Sequence, residues 1–165
     1  MLTALPPILA PDAAALILGS MPGEKSLKAG QYYAHPRNAF WPILCETLGE
    51  HPADYEGRRA MLIRHQIALW DSVLECERDG SLDSRIRDAQ PSDVPALLAA
   101  CPGIRTILFN GAAARALFRR FHGESAGLTL RALPSTSPAN AGTSYARKLD
   151  LWREALREAG VTGIR

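Results

Sequence analysis

The chain has little net charge, few cysteines and no long apolar run, and each of these shortages excludes a class of protein. Its 19 lysine and arginine residues against 17 acidic residues leave a formal net charge of +2, which excludes a generally basic protein that coats DNA. No apolar run approaches the roughly 18–20 residues that a membrane-spanning helix needs. The N-terminal residues also lack the basic-then-apolar layout of a signal peptide. We therefore expect a cytoplasmic protein that makes no use of a membrane.

The three cysteines are Cys45, Cys76 and Cys101, which lie far apart and form no Cys-x-x-Cys pair. An odd number at such spacings suits neither a disulfide framework nor a zinc or iron–sulfur site. We predict that all three are reduced core residues.

The remaining composition is that of a folded protein. Hydrophobic residues make up 47% of the 165 residues and charged residues 22%, close to the averages for globular domains. A chain of this length buries roughly 70% of the surface of its unfolded state. We predict one domain over residues 1–165.

Four short apolar segments predict the strands of a sheet. They cover residues 13–18, 67–70, 106–109 and 128–133. The first three are continuously apolar, which is typical of parallel strands that are buried on both faces. The fourth alternates more, so we place it nearer the edge of the sheet.

Helix-favouring segments separate and follow these strands. Ser92 is the predicted N-cap of the third, because an aspartate and a proline follow it in the first turn. The alternation predicts an α/β fold, a three-layer α/β/α sandwich with a central, mainly parallel four-stranded sheet. The five predicted helices cover residues 38–48, 55–65, 92–100, 112–121 and a last segment from Thr143 or Ser144 to Ala159.

Ligands of such sheets bind outside the carboxyl ends of the strands, which draws attention to the loops that follow them. The first is Gly19-Ser20-Met21-Pro22-Gly23, whose glycines let backbone amides approach a ligand closely. A plain tight turn explains the same residues. The spacing of the glycines fits neither a Walker phosphate loop nor a dinucleotide fingerprint.

Aromatic residues are concentrated between residues 32 and 41, where four of the eleven fall beside a histidine, an arginine and an asparagine. Such a mixture suits a pocket that stacks on a planar base and hydrogen-bonds its edge. We interpret Phe40 and Trp41 as core anchors of the following helix. Tyr32, Tyr33 and Asn38 carry polar tips for which a core has little use.

A loop rich in small and hydroxyl-bearing residues follows the last strand, over residues 133–142. Its side chains suit a segment that approaches a phosphate backbone. An ordinary loop that caps the next helix is the alternative.

Together these segments resemble the uracil-DNA glycosylase superfamily, and within it the hypoxanthine-DNA (deoxyinosine) glycosylase family. The motifs are GSMPG, YYAHPRNAFW, ALWDSVLECERDGSLDSRI, FNG and LPSTSPAN, in this order from about residue 13 to residue 157. Mismatch-specific uracil enzymes place a catalytic asparagine where this chain has Met21. Uracil enzymes carry asparagine or histidine where this chain has Leu133. Both departures point away from uracil as the main substrate.

The resemblance implies a role for each matched residue. Asn38 would be the catalytic amide that orients the attacking water, and Tyr33 would stack on the base. Backbone around Gly19, Ser20 and Met21 would hold the base oxygen. His35 would assist the leaving base or serve the loop alone. The loop that wedges open the DNA would comprise Pro134, Ser135, Thr136, Ser137, Pro138, Ala139 and Asn140.

The expected activity is that of a monofunctional glycosylase that flips out a deaminated base, hypoxanthine first, and hydrolyses its N-glycosidic bond in base excision repair. Lys25 and Lys28 stand among polar neighbours, which disfavours Schiff-base chemistry. Asp71 is either a water-positioning residue or a cap. The alternatives are the same fold acting on uracil, xanthine or mismatched bases, and a non-catalytic nucleic-acid-binding module. We expect a monomer that binds double-stranded DNA in the nucleoid and needs no metal or organic cofactor.

The modest net charge hides an uneven distribution. Residues 25–37 hold two lysines and one arginine without an acid, and residues 111–131 hold four arginines with one acid, Glu124. Because attraction to phosphate depends on the local field, we predict that both segments face DNA.

Overall fold

The computed structural model describes residues 1–124 and 127–165. Strands and helices are labelled in chain order. The elements are β1 (Leu2–Thr3), β2 (Ala15–Gly19), α1 (Glu24–Ala29), α2 (Phe40–Leu48), α3 (Tyr55–Arg64), β3 (Ile67–Asp71), β4 (Val73–Glu77), β5 (Arg87–Pro91), α4 (Val94–Ala100), β6 (Thr106–Asn110), α5 (Ala112–His122), β7 (Thr129–Leu133) and α6 (Tyr145–Glu158).

The four predicted strands form the central sheet. Its order is β3-β2-β6-β7, and every neighbouring pair is parallel. All five residues of β2 are buried, as a central strand with helices on both faces requires. β7 lies at the edge and is partly exposed, as its alternating pattern predicted.

Helices cover both faces of this sheet, which confirms the predicted three-layer sandwich. On one face α2, α3 and α6 pack on the sheet, with Phe40 and Trp152 fully buried. On the other face α4 and α5 pack through residues such as Phe118, whose ring lies 5.3 Å from that of Phe109. The three cysteines are free and buried, as predicted.

A second, antiparallel sheet of order β1-β4-β5 was not predicted. β4 follows β3 after a single residue, Ser72, and its pairing with β5 contains irregularities in register. β5 is almost wholly exposed, so its sequence lacks the alternation of apolar residues that predicts a strand. Asp88 within it has a positive φ of 51°. Between β4 and β5 the chain forms a single 3-10 turn over Asp83–Arg85.

Among the helices that the described residues form, none combines the length and the apolar character of a membrane span.

The start of α4 differs from the prediction by one residue. The cap is Asp93, whose Oδ1 accepts a hydrogen bond of 3.1 Å from the backbone N–H of Ala96. Ser92 is instead buried, and its hydroxyl makes no hydrogen bond within the described residues. The predicted Ser92 cap was therefore wrong, because the aspartate beside it reaches the free amide of the first turn.

This geometry predicts opposite outcomes for two neighbouring substitutions. Asp93→Ala removes the cap and is expected to lower the free energy of unfolding by about 1 kcal/mol. Ser92→Ala removes a buried hydroxyl that lacks a partner, so stability should stay the same or rise. Urea denaturation of both variants measures the difference. A larger loss for Ser92→Ala than for Asp93→Ala would contradict the assignment.

Candidate active site

The loops after the four parallel strands enclose one cavity of about 730 Å³, within the range of small-ligand sites. Its walls come from the first loop and α1, the aromatic segment, the ends of β3 and β6, the 3-10 turn and the loop after β7. The residues that line it include Ser20, Met21, Lys25, Tyr32, Tyr33, His35, Asn38, Asp71, Leu82, Asp83, Asn110, Ser135, Thr136, Ser137, Pro138, Ala139 and Asn140.

The first loop is held by residues far away in the chain. Ser20 Oγ donates a 2.6 Å hydrogen bond to Asp83 Oδ1, and the buried Arg78 guanidinium donates to the Pro22 carbonyl. The Met21 side chain packs against Val73 in the core of the small sheet. Met21 is therefore an anchor of the loop, and only the backbone there is suited to hold a base.

Gly19 lies beneath the cavity and does not line it. A Cβ atom at this position would clash with Asp71 Oδ1 and lie 2.9 Å from the Tyr33 hydroxyl oxygen. Because Gly19 has no side chain, these two polar groups can both occupy the cavity floor.

Asp71 ends β3 and is buried, with 3% of its surface exposed. Its Oδ2 atom has no hydrogen-bond partner within the described residues. Burial and, to a smaller extent, the Asp83 carboxylate raise the pKa of Asp71 to about 7, while Arg78 opposes the shift. Asp71 caps none of the described helices, and both its neutral and its ionised forms are populated near pH 7.

Tyr33 stands next to Asp71 in a strained backbone conformation, with φ at +54°. Its ring stacks on Phe40, with centroids 4.1 Å apart. Its buried hydroxyl makes no hydrogen bond of good geometry within the described residues, although Asn110 lies near enough to lower the pKa slightly. Burial and the Asp71 carboxyl raise the pKa of Tyr33, so the hydroxyl stays protonated.

Asn38 is half-buried on the cavity wall, two residues before α2. Its Oδ1 accepts a 2.9 Å hydrogen bond from the Phe40 backbone N–H. The bond fixes the direction of the amide, while a carbonyl oxygen can accept a second hydrogen bond. The helix accordingly begins at Phe40 rather than at residue 38.

The other polar residues of the aromatic segment have different tasks. His35 Nδ1 accepts from the Arg37 backbone N–H at 3.0 Å, which leaves Nε2 as the donor of the neutral ring. The Tyr32 hydroxyl donates to the Pro6 carbonyl at 2.8 Å, so the residue serves mainly as a core anchor despite its polar tip. Phe40 and Trp41 are buried, as predicted.

The loop after β7 is fixed at Thr136. Asn110 donates from Nδ2 to Thr136 Oγ1 and accepts from the Thr136 backbone N–H, both at 2.9 Å. Lys148 is buried and donates from Nζ to the Asn140 carbonyl at 2.9 Å. Residues 135–140 line the cavity, whereas Pro134 does not, and its carbonyl accepts from the Trp152 indole.

Comparisons with known proteins show the family of this chain. The family model described as the uracil DNA glycosylase superfamily matches residues 6–159. The chain belongs to the uracil DNA glycosylase superfamily. It is therefore a DNA glycosylase, an enzyme whose substrate is DNA.

Relatives within the superfamily cover nearly the whole chain. A protein named hypoxanthine DNA glycosylase from Methanosarcina barkeri is 33% identical over 160 residues, 92% of this chain and 96% of its own. One of the same name from Methanosarcina acetivorans is 35% identical over 154 residues, with the same coverage of both chains. The solution NMR structure of a candidate uracil DNA glycosylase from M. acetivorans matches with a TM-score of 0.82 at 33% identity, covering 96% of this chain and 98% of that one.

Lys25, from the first of the two predicted basic segments, lines the cavity of this glycosylase. Lys25, Lys28 and Arg37 are exposed and make no ion pair within the described residues. In the other segment, Arg119 pairs with Glu124 at the far end of α5, roughly 10 Å along the helix axis from its start at the cavity. That both segments face DNA stays a prediction.

Sequence reasoning missed the supporting residues of the glycosylase site. Arg78 and Asp83 contact the backbone or a hydroxyl group of residues far away in the chain, and Lys148 contacts the backbone of Asn140, eight residues before it. The motif ALWDSVLECERDGSLDSRI contains the first two, but nothing local in it indicates a contact with the first loop.

Gly19→Ala tests the packing of the cavity floor. A methyl group there must displace Asp71 and Tyr33, so we expect the free energy of unfolding to fall by about 1–3 kcal/mol. Single-turnover cleavage of a substrate duplex should slow at least about tenfold, because the reacting groups are misplaced. Gly142→Ala is the matched control, since no atom lies within 4 Å of its Cβ position. Equal unfolding curves for the two variants would contradict the described floor.

Proposed function

We propose that the protein excises hypoxanthine from deoxyinosine in double-stranded DNA, as a monofunctional glycosylase with Asn38 as the residue that positions water. The substrate is inferred from the two relatives named hypoxanthine DNA glycosylase. The observation that carries the mechanism is the Asn38 amide on the cavity wall, with its direction fixed by the Phe40 backbone N–H.

Hydrolysis of the glycosidic bond passes through a sugar that resembles an oxocarbenium ion. The bonding electron pair leaves with the base, and water supplies a hydroxyl group to the sugar carbon and a proton to the departing base. Because the sugar is already electrophilic, the water needs orientation more than a strong base. The Asn38 carbonyl is suited to accept one hydrogen bond from that water. Met21, at the corresponding place in the first loop, has only a buried thioether to offer.

The cavity floor is suited to the departing base. The Tyr33 ring is covered by Phe40 on one face, which leaves the other for stacking on a purine. Neutral Asp71 and the Tyr33 hydroxyl both carry a proton that can be donated to the base edge as negative charge grows there. His35 Nε2 offers a third donor.

The lysines support the monofunctional assignment. Schiff-base formation needs a desolvated amine at the reacting carbon. Lys25 and Lys28 are exposed on α1. Burial lowers the pKa of Lys148, but its amine is used on the Asn140 carbonyl and the residue does not line the cavity.

A substrate panel tests the reaction and the base. Duplexes containing deoxyinosine, deoxyuridine or deoxyxanthosine are incubated with the enzyme, with and without later alkali. We expect strand scission with deoxyinosine and only after alkali. Preferential scission of deoxyuridine or deoxyxanthosine would assign the same fold to another deaminated base. Scission at a similar rate without alkali would contradict the monofunctional assignment.

Asn38→Ala is expected to slow single-turnover cleavage of deoxyinosine by about 10²-fold or more, as when one transition-state contact is lost. Asn38→Asp is the matched variant, because a carboxylate oxygen can still accept from the Phe40 amide and from water. It should therefore keep the unfolding midpoint of the wild type and remain faster than Asn38→Ala. Wild-type cleavage by Asn38→Ala would rule out the assigned role.

The Asp71 carboxyl predicts a pH dependence. As the pH rises through about 7 the group ionises, and a carboxylate repels the growing charge on the base, so kcat/KM should fall. Asp71→Asn keeps a donor at every pH and should flatten this alkaline limb. The neighbouring charged or titratable groups are Tyr32, Tyr33, Arg78 and Asp83, and they remain in the variant.

The stability of the same pair of proteins gives a second measure. Unfolded Asp71 ionises near pH 4, whereas the folded protein holds the proton to about pH 7. The folded state therefore binds more protons between these values, and the wild type should lose stability as the pH rises from 4 to 7. Asp71→Asn should lose less over this range in urea denaturation. Parallel stability curves would contradict a neutral Asp71.

A further inference from the structure

One exposed apolar side chain stands at the cavity. Of the large hydrophobic residues exposed within the described part of the chain, Leu82 alone lines the cavity, with 53% of its surface exposed. It belongs to the segment between β4 and β5, on the wall formed by the 3-10 turn. A single exposed leucine is ordinary on a protein surface and needs no functional explanation. Whether Leu82 has a function therefore depends on how its backbone is held.

The backbone around Leu82 is fixed on both sides. Ser81 Oγ accepts a 2.9 Å hydrogen bond from the Glu24 backbone N–H, which ties the segment to α1. Asp83 accepts from Ser20 Oγ at 2.6 Å, which ties it to the first loop. The Leu82 carbonyl itself accepts from the Arg85 backbone N–H at 3.0 Å. The leucine is thus presented on an anchored turn rather than on a free loop.

The loop after β7 lines the same cavity but has no large apolar side chain of its own. Its residues from 135 to 140 are serine, threonine, proline, alanine and asparagine. A flipped nucleotide leaves a gap in the base stack, and proteins that hold such gaps open insert apolar side chains such as leucine or proline. Pro138 and Ala139 fill only part of the volume that a base vacates.

We propose that Leu82 enters the DNA beside the flipped nucleotide and fills the gap together with the loop after β7, so that the base stack is held from two sides. The inference rests on the proposed function, since it presumes that the enzyme flips a base. Leu82 is a positioning residue in this role and touches neither the attacking water nor the glycosidic bond. Entry into the stack removes its exposed apolar surface from water, and this favours the flipped state.

The test measures flipping without cleavage. A duplex carries 2′-fluoro-deoxyinosine, whose glycosidic bond resists hydrolysis, next to 2-aminopurine, whose fluorescence rises when its neighbour leaves the stack. Wild-type enzyme should raise the fluorescence, and Leu82→Ala should lower the equilibrium constant for flipping about tenfold, equivalent to about 1.4 kcal/mol. Leu82→Met, which keeps the volume, should restore most of the signal.

Leu74→Ala is the matched control, because Leu74 is a partly exposed leucine of the same small sheet that does not line the cavity. It should behave as the wild type. A wild-type fluorescence signal from Leu82→Ala would overturn the proposal. The absence of any signal from the wild type would contradict the proposed flipping itself, and the wedge with it.

Cleavage rates distinguish a Leu82 side chain that fills the gap in the base stack (a wedge) from one that covers the bound base. Opposite cytosine, deoxyinosine must be unpaired and held out, so Leu82→Ala should cleave about tenfold more slowly than the wild type. Opposite an abasic-site analogue, little flipping cost remains and the two rates should be close. An equal defect on both duplexes would show that Leu82 covers the bound base, which would overturn the wedge.

Discussion

The arrangement of the site depends on the buried side-chain and backbone bonds between Asn110 and Thr136. Asn110 ends a central strand, and both polar ends of its amide are used on Thr136, which is 1% exposed. The Thr136 carbonyl in turn accepts from the Ala39 backbone N–H, one residue after Asn38. A single buried threonine thus joins a strand end, the loop that we propose faces DNA and the start of the helix beside Asn38, the amide that we propose positions water. Since each of these polar groups would be costly to bury alone, they hold one another in place.

The two walls of the cavity are clamped by buried cations. Arg78 donates to the Pro22 carbonyl on one wall, and Lys148 donates to the Asn140 carbonyl on the other. Buried cations are more often paired with carboxylates. Because Arg78 and Lys148 bind carbonyl oxygens instead, their positive charge remains near a site that must accept DNA, a polyanion. Burial and the Asp83 carboxylate raise the pKa of Asp71 to about 7 against the opposing effect of Arg78, so its protonated form is available to the proposed reaction as a hydrogen-bond donor.

The motifs located the site better than they assigned its parts. Tyr33, His35 and Asn38 do line one cavity with Ser20 and with the loop after the last strand. Tyr32 resembled a site residue because of its hydroxyl, yet that hydroxyl holds the N-terminal segment. Gly19 and Pro134 lie behind the walls, where one makes room for the floor and the other receives a tryptophan N–H. A motif shows which residues occur together, but it does not distinguish a residue that lines the cavity from one that supports it from behind.

The central sheet, five of the helices and the family could be predicted from the sequence, because each depends on signals that are local: apolar runs, helical periods, caps and contiguous motifs. The small sheet escaped prediction, since β5 is exposed and irregular and carries no such period. The raised pKa of Asp71, the clamps on the two loops and the position of Leu82 at the cavity required the folded structure. Most of these contacts join residues dozens of positions apart, and the one between Lys148 and Asn140 depends on burial of the lysine, which exists only once the chain has folded.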